Sequence, residues 1–167
     1  TSIERDALDA WHTARRHGQT VVLAAPTNDT VARLNHAAQQ RRIDTGELTT
    51  RGRTVDAGGH RLHVGDEIVT RRNDRHLLTD RQLPVHNRDH WTITTVQRNG
   101  DLSATGRSSR VRLPPSYVAE HVELGYAQTS HATQGRTVDR SILVLHGPTD
   151  IRGLYVPMTR GRHSNDA

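Results

Sequence analysis

Three short stretches hold side chains whose types and spacing suit the binding of phosphate groups. The first, Thr129-Ser130-His131-Ala132-Thr133-Gln134-Gly135, sets hydroxyl, imidazole and carboxamide groups close together and ends on a glycine. Hydroxyl and imidazole donors at a strand end can hold a phosphate, and a glycine lets the backbone approach a nucleotide. The second, Tyr155-Val156-Pro157-Met158-Thr159-Arg160-Gly161-Arg162, carries two guanidinium groups one residue apart. The third, Ala25-Pro26-Thr27-Asn28-Asp29, places capping side chains where a helix should start. Helix N-termini also bind phosphate, so Thr27 and Asn28 can cap and contact an anion at once.

Composition removes several other chemistries. All 23 Lys+Arg residues are arginine, so the chain has no P-loop, which needs the lysine of G-x-x-x-x-G-K-[ST], and no Schiff-base lysine. Asp66-Glu67 imitates the carboxylate pair that handles Mg²⁺, but His63-Val64-Gly65 ahead of it is not an apolar strand, and turn entry is the reading. Cysteine is absent, no H-E-x-x-H occurs, and His60 and His63 have poor metal spacing, so no metal site is predicted. Most of the 12 histidines read as solvated, with His131 as the exception. A net charge of +5 suits a polyanionic partner, although the arginines are spread along the chain. No run approaches the about 20 apolar residues of a membrane span, and no signal peptide pattern opens the chain. A cytoplasmic protein is expected, the chain itself monomeric and without a membrane partner.

The elements that must position these groups fall into two styles. Ser2 to about His17 reads as a helix with Leu8, Trp11 and Ala14 on one face and Gly18 as its stop. Thr20 to Ala25 is a short apolar run ended by Pro26, read as a buried strand. A second helix with Val31, Leu34 and Ala38 on one face should run from there to near Gly46. From about Val55 to Arg112 the pattern turns to short β-rich pieces with turn signals at Gly58-Gly59, Gly65-Asp66, Asn73-Asp74, Asn87-Arg88-Asp89 and Asn99-Gly100. Such spacing suggests a small barrel, filled in part by Trp91 and closed by Pro114-Pro115. The α/β style then returns with a strand near Gly125 to Thr129, a clear strand from Ser141 to Leu145, and a helix capped by Thr149 or Asp150 that carries Ile151, Leu154, Tyr155 and Met158. Only 32% of residues are apolar and phenylalanine is absent, so the core should be thin and built from Val, Leu, Ile and Ala, with Trp11 inside it.

The stretch from Gly125 to Asp139 resembles motif V of superfamily 1 helicases, T-x-H-x-x-Q-G-x-[ST/E], and Leu154 to Arg162 resembles their motif VI, Y-V-x-x-[ST]-R-[AG]-[RK]. Their order around an apolar strand, with Ala25 to Asn35 ahead of them, is similar to the second RecA-like domain of the RecD-like branch. Leu124-Gly125-Tyr126-Ala127, Gly135-Arg136-Thr137-Val138-Asp139 and Thr159-Arg160-Gly161-Arg162 are most like the helicase part of conjugative relaxases of the TraA/TrwC type, the MobF class. The resemblance implies an SH3-like barrel inserted in the domain. It also implies an arginine finger at Arg160, nucleotide contacts at Gln134, Gly135, Arg160 and Arg162, and single-stranded DNA contacts at Thr27, Asn28, Thr129 and His131. Motifs I and II are missing. Asn87-Arg88-Asp89 stands where relatives show Asn-Gly-Asp, and Thr137 stands where many carry a sugar-contacting Glu.

The expected fold class is therefore α/β: a second RecA-like domain, a P-loop NTPase fold without its own P-loop, over residues 1–54 and 113–167, interrupted by an SH3-like β-barrel over 55–112. The expected function is the C-terminal half of an ATP-dependent DNA helicase, moving 5′→3′ by resemblance. Single-stranded DNA and a missing first RecA-like domain would be its partners. ATP and Mg²⁺ belong to the full-length enzyme, and the chain alone is expected to bind neither and to turn over no ATP. The alternative is a non-catalytic basic module that docks nucleic acid or protein. A metal-dependent relaxase nuclease is disfavoured by the lack of a histidine cluster.

Overall fold

A computed structural model describes residues 2–132, 138–146 and 154–158. Two compact units make up the chain: one joins Thr1–Arg41 to Tyr126–Ala167, and the other is Arg42–Gly125. No helix among the described residues is long and apolar enough to cross a membrane.

Helix α1, Ser2–Arg16, buries Ala7, Leu8, Trp11 and Ala14 on the face the sequence marks, with Glu4 in its first turn and Arg15 and Arg16 in its last. It stops at Gly18, whose φ of 77° is left-handed. Gly18 N–H donates to Arg15 O at 2.9 Å and Gln19 N–H to Ala14 O at 3.1 Å, the Schellman pattern. Strand β1, Val21–Ala25, is buried at every residue. Helix α2, Asn28–Asp44, ends by the same pattern, with Gly46 N–H on Ile43 O and Glu47 N–H on Arg42 O. Its buried face is Thr30, Leu34, Asn35, Ala38 and Gln39, while Val31, expected on it, is half-buried. Two carboxamides thus sit where an apolar stripe was read.

The middle unit is β-rich. Hairpin β2 (Val55–Ala57) and β3 (His60–Leu62) turns on Gly58 and Gly59, both at positive φ. Strand β4 (Glu67–Thr70) is followed by a two-stranded ribbon of β5 (Asp74–Leu78) and β6 (Pro84–Val85), then by β7 (His90–Val96), β8 (Leu102–Thr105) and β9 (Arg110–Leu113). Pro114 and Pro115 do not close the unit. They open helix α3, Pro115–His121, and strand β10, Val122–Leu124, then pairs antiparallel with β4. The resulting five-stranded sheet has the order β10-β4-β7-β8-β9 and stays open, with β10 and β9 as edges, so the strands do not close into a barrel. Returning β10 to β4 also carries this unit to Gly125, past the expected limit at Arg112.

Trp91 is 5% exposed, and its indole N–H lies 3.3 Å from Thr70 Oγ1. A Cβ on Gly106 would lie 2.9 Å from the Trp91 ring, so glycine is required there. Asp66 is fully buried, its Oδ2 accepting His63 N–H at 2.8 Å, which makes it a turn residue as its context predicts.

Beyond this unit come β11 (Ala127–Thr129), β12 (Arg140–Leu145) and β13 (Leu154–Met158). With β1 they form a four-stranded sheet in the order β11-β1-β12-β13, parallel except for the antiparallel β12–β13 pair. The expected helix over Leu154–Met158 is therefore a strand. Leu-Tyr-Val-Pro-Met suits an edge strand, because Pro157 has no N–H to donate and an edge does not need one; inside a helix it would remove a bond and clash. Leu23, Trp11, Leu34 and Ile142 fill this unit's core, and the Trp11 ring meets Tyr126 edge-on at 5.7 Å.

Arg88 takes φ 72°, the left-handed value that the glycine of an Asn-Gly-Asp turn adopts freely. Its N–H donates to Thr70 O at 2.6 Å, and the flanking His86 N–H donates to Asp89 Oδ2 at 2.9 Å, so the turn is held against its preference. Arg88→Gly should relieve about 1–2 kcal/mol of backbone strain and lose about 0.5–1 kcal/mol to unfolded-chain entropy. A rise of the urea midpoint without a change of slope is expected; a fall would contradict the strain.

Candidate functional site

The site is assembled by the parallel register of β1 and β11, in which Leu23 pairs with Ala127, Ala24 with Gln128 and Ala25 with Thr129. Both strands end at the same edge, and Ser130 N–H donates to Ala25 O at 3.0 Å to continue the pairing. Thr27 and Asn28 leave that edge on one chain segment, and Thr129 and His131 leave it on the neighbouring one. Adjacent strands lie about 4.8 Å apart, and the carboxyl ends of parallel strands are where α/β sheets bind ligands. Thr27, Asn28 and His131 are exposed, and Thr129 is half-buried. The four residues predicted as a set therefore lie at the carboxyl ends of two adjacent strands of one sheet.

What fixes that edge is a residue the sequence reading passed over. Leu23 N–H donates to Tyr126 O at 3.2 Å, and this register turns the N–H and C=O of Ala127 away from β1. Asn35 takes both: its Oδ1 accepts Ala127 N–H at 2.8 Å and its Nδ2 donates to Ala127 O at 3.3 Å. Asn35 is 5% exposed, so the pair is sheltered from water. At the other end of the strands, Asp139 Oδ2 accepts Thr20 N–H at 2.8 Å, and Arg140 N–H donates to Thr20 O at 3.0 Å. These bonds set β12 against β1.

Thr27 caps α2: its Oγ1 accepts Thr30 N–H at 3.3 Å, and its C=O accepts Val31 N–H at 3.0 Å. The Thr27 hydroxyl also lies 3.0 Å from that of Thr30, and Thr30 Oγ1 accepts from Arg33 Nη2 at 3.1 Å. Arg33 in turn holds Glu4 Oε1, from Nη2 at 3.0 Å and Nε at 3.3 Å, and His146 Nε2 lies 3.1 Å from the same oxygen. Burial would raise the Glu4 carboxyl above its ordinary value, but the hydrogen bond and charge of Arg33, with the charge of His146, bring it below. Arg33 is raised by the same hydrogen bond and charge. The cluster joins three segments, and no local signal announced it, since Glu4 and Arg33 are 29 residues apart.

Gln134, Gly135, Arg160 and Arg162 lie outside the described residues. The arrangement that is described presents hydroxyl, amide and imidazole groups and the start of a helix on one edge.

No family model matches the sequence. Half of the chain is similar to an uncharacterised protein of Mycobacterium tuberculosis, 37% identical over 87 residues, a match that covers 50% of each chain. Similarity to the conjugal transfer protein TraA of Rhizobium radiobacter runs through 96% of this chain at 27% identity and covers 14% of that protein. The chain thus spans half of the first relative and a small part of the second. A solved Pif1 helicase chain superposes with a TM-score of 0.44 at 14% identity, covering 75% of this chain and 32% of that one. That likeness is too loose to carry an argument.

Asn35→Ala leaves two sheltered backbone groups of Ala127 without partners, which should cost about 2–6 kcal/mol at about 1–3 kcal/mol for each. Urea unfolding should show the loss, and native-state hydrogen exchange should quicken at the Ala127 amide. Unchanged protection of that amide would show that Asn35 does not hold β11.

Proposed function

We propose that the chain is the second RecA-like domain of an ATP-dependent DNA helicase, with a β-rich insertion, within a conjugal transfer protein. The observation that carries this is the placement of Thr27, Asn28, Thr129 and His131 at the carboxyl ends of the adjacent strands β1 and β11. Similarity to TraA along 96% of the chain supports the conjugal setting, and the coverage of 14% of that protein supports a segment of a much longer one.

In this reading single-stranded DNA lies along the edge with its phosphates on those four residues. ATP and Mg²⁺ would lie in a cleft against a first RecA-like domain, with Gln134 and Gly135 toward the nucleotide. Arg160 would neutralise charge on the transferring γ-phosphoryl group, with Arg162 as a second contact. The domain itself contributes grip and the guanidinium groups of Arg160 and Arg162, because it has no lysine for the phosphates. Opening and closing of the cleft would move the grip along the strand, in the 5′→3′ direction that the RecD-like resemblance implies.

Titration of labelled oligonucleotide into the labelled chain tests the DNA path. Binding should be weak and nearly independent of sequence, with a salt slope of about −0.7 per phosphate neutralised. Backbone amides around Thr27 and His131 should shift. Shifts confined to residues 55–112, at Arg71, Arg72 and Arg88 for example, would instead favour a basic binding module.

In the full-length protein, Arg160→Ala should lower DNA-stimulated ATP hydrolysis by about 10³- to 10⁵-fold, the range for an arginine finger. Arg162→Ala should cost less. Near-normal turnover in Arg160→Ala would remove the finger assignment.

A further inference from the structure

We propose that Arg33 is a further nucleic-acid contact held in reserve by Glu4, its guanidinium exchanging the Glu4 carboxylate for a backbone phosphate when a single strand lies on Thr27 and Asn28. The inference rests on the DNA path proposed above, and it adds to that path a residue on the second turn of α2.

Position is the first argument. Arg33 Nη2 is 3.1 Å from Thr30 Oγ1, and that oxygen is 3.0 Å from the Thr27 hydroxyl. The guanidinium is therefore one side chain removed from the helix cap. Freedom is the second. The Arg33 side chain is 55% exposed and that of Glu4 only 14%, so the arginine can swing while the carboxylate cannot. Residual pairing is the third. Stranding a partly buried carboxylate would be costly, but His146 Nε2 lies 3.1 Å from the same Glu4 oxygen and is placed to donate to it once Arg33 departs.

Chemistry supplies the last argument. A guanidinium fork donates two N–H bonds to a carboxylate or to a phosphate alike, and here both go to Glu4 Oε1, so that oxygen occupies the place a phosphate oxygen would take. Asp29 is the other carboxylate whose charge reaches Arg33, and it lies in the first turn of α2. With Glu4 engaged, Arg33 does not act as a free surface cation that binds any polyanion. The strand gains this contact only where Thr27 and Asn28 have already placed a phosphate beside it.

The test uses the 167-residue chain and a fluorescent oligothymidylate at several salt concentrations. Removing the competitor with Glu4→Gln should tighten binding by roughly three- to tenfold, since a charge-assisted bond no longer has to be exchanged. Arg33→Ala should weaken binding by a similar factor and reduce the salt slope by about 0.7, one phosphate contact on a single strand. The double variant should behave as Arg33→Ala alone. An ion pair that only braces α1 against α2 predicts instead that both single variants weaken binding or that neither changes it, and either result overturns the proposal.

In the unaltered chain the Arg33 Nε–H resonance should move during the titration, and a static one also overturns it. Thr27→Ala and His131→Ala run in parallel separate the two levels. If these weaken binding while the Glu4 and Arg33 variants do not, the reserve contact falls and the DNA path stands. If none of the four matters, both fall.

Discussion

The hydrogen-bonded pair between Asn35 and Ala127 is the constraint on which the sheet edge depends. Among the described residues, strand β11 has three residues and one strand neighbour, β1. Its outward backbone groups would otherwise be an open template for pairing with another chain. The Asn35 carboxamide presents one acceptor and one donor in the spacing of a peptide group, so α2 closes the edge as a strand would. The β-rich unit uses a related device on its own edge strand. Asp80 Oδ1 accepts Arg110 N–H at 2.8 Å, and Asp80 N–H donates to Arg110 O at 2.9 Å. Short polar side chains stop both strands without an additional strand.

Arginine is the only long cation in the chain, and its use qualifies the meaning of a net charge of +5. Several guanidinium groups are already committed to carboxylates: Arg33 to Glu4, Arg42 to Glu47 and Arg112 to Asp101. Where such pairs are solvent-exposed they contribute little to stability, about 0–1 kcal/mol each. Their larger effect is on availability, because a paired arginine meets a phosphate only by giving up its carboxylate. The charge total therefore says less about nucleic-acid affinity than the location of hydroxyl and amide donors does.

Local signals made much of the fold legible. Gly18 and Gly46 stop their helices, the run Val21–Ala25 is a strand buried at every position, and Asn99-Gly100 turns the β7–β8 hairpin, with Gly100 at φ 91°. Each depends on residues close in sequence. What was not legible depends on distance or on a tie between periods. Asn35 and Ala127 are 92 residues apart, and a carboxamide beside Leu34 on a helix gives no hint of a strand partner. Leu154, Tyr155 and Met158 fit a helical stripe and also fit a five-residue strand, and pairing with β12 decides between them. A barrel was read from the spacing of short strands, but spacing alone does not specify whether the first and last strands meet. Of the candidate site, Thr27, Asn28, Thr129 and His131 are legible because each belongs to a short local pattern, whereas the Glu4–Arg33–His146 cluster belongs to none.

Register gives the clamp a consequence beyond stability. Successive side chains on a strand point to opposite faces, so a slip of β11 by one residue along β1 would send Thr129 to the other face of the sheet. Asn35 prevents that slip by binding the donor and the acceptor of a single residue. Because Asn35 is on α2, and α2 begins at the cap Thr27, the same bond ties the placement of Thr27 to that of Thr129. A rotation or shift of the helix start would have to break a sheltered pair of backbone bonds or carry the end of β11 with it. For a domain proposed to hold a strand through each cycle of cleft closure, this coupling matters more than the strength of any single contact. Donors that drifted independently would let the phosphates pass one at a time, while donors fixed on one edge move them as a set.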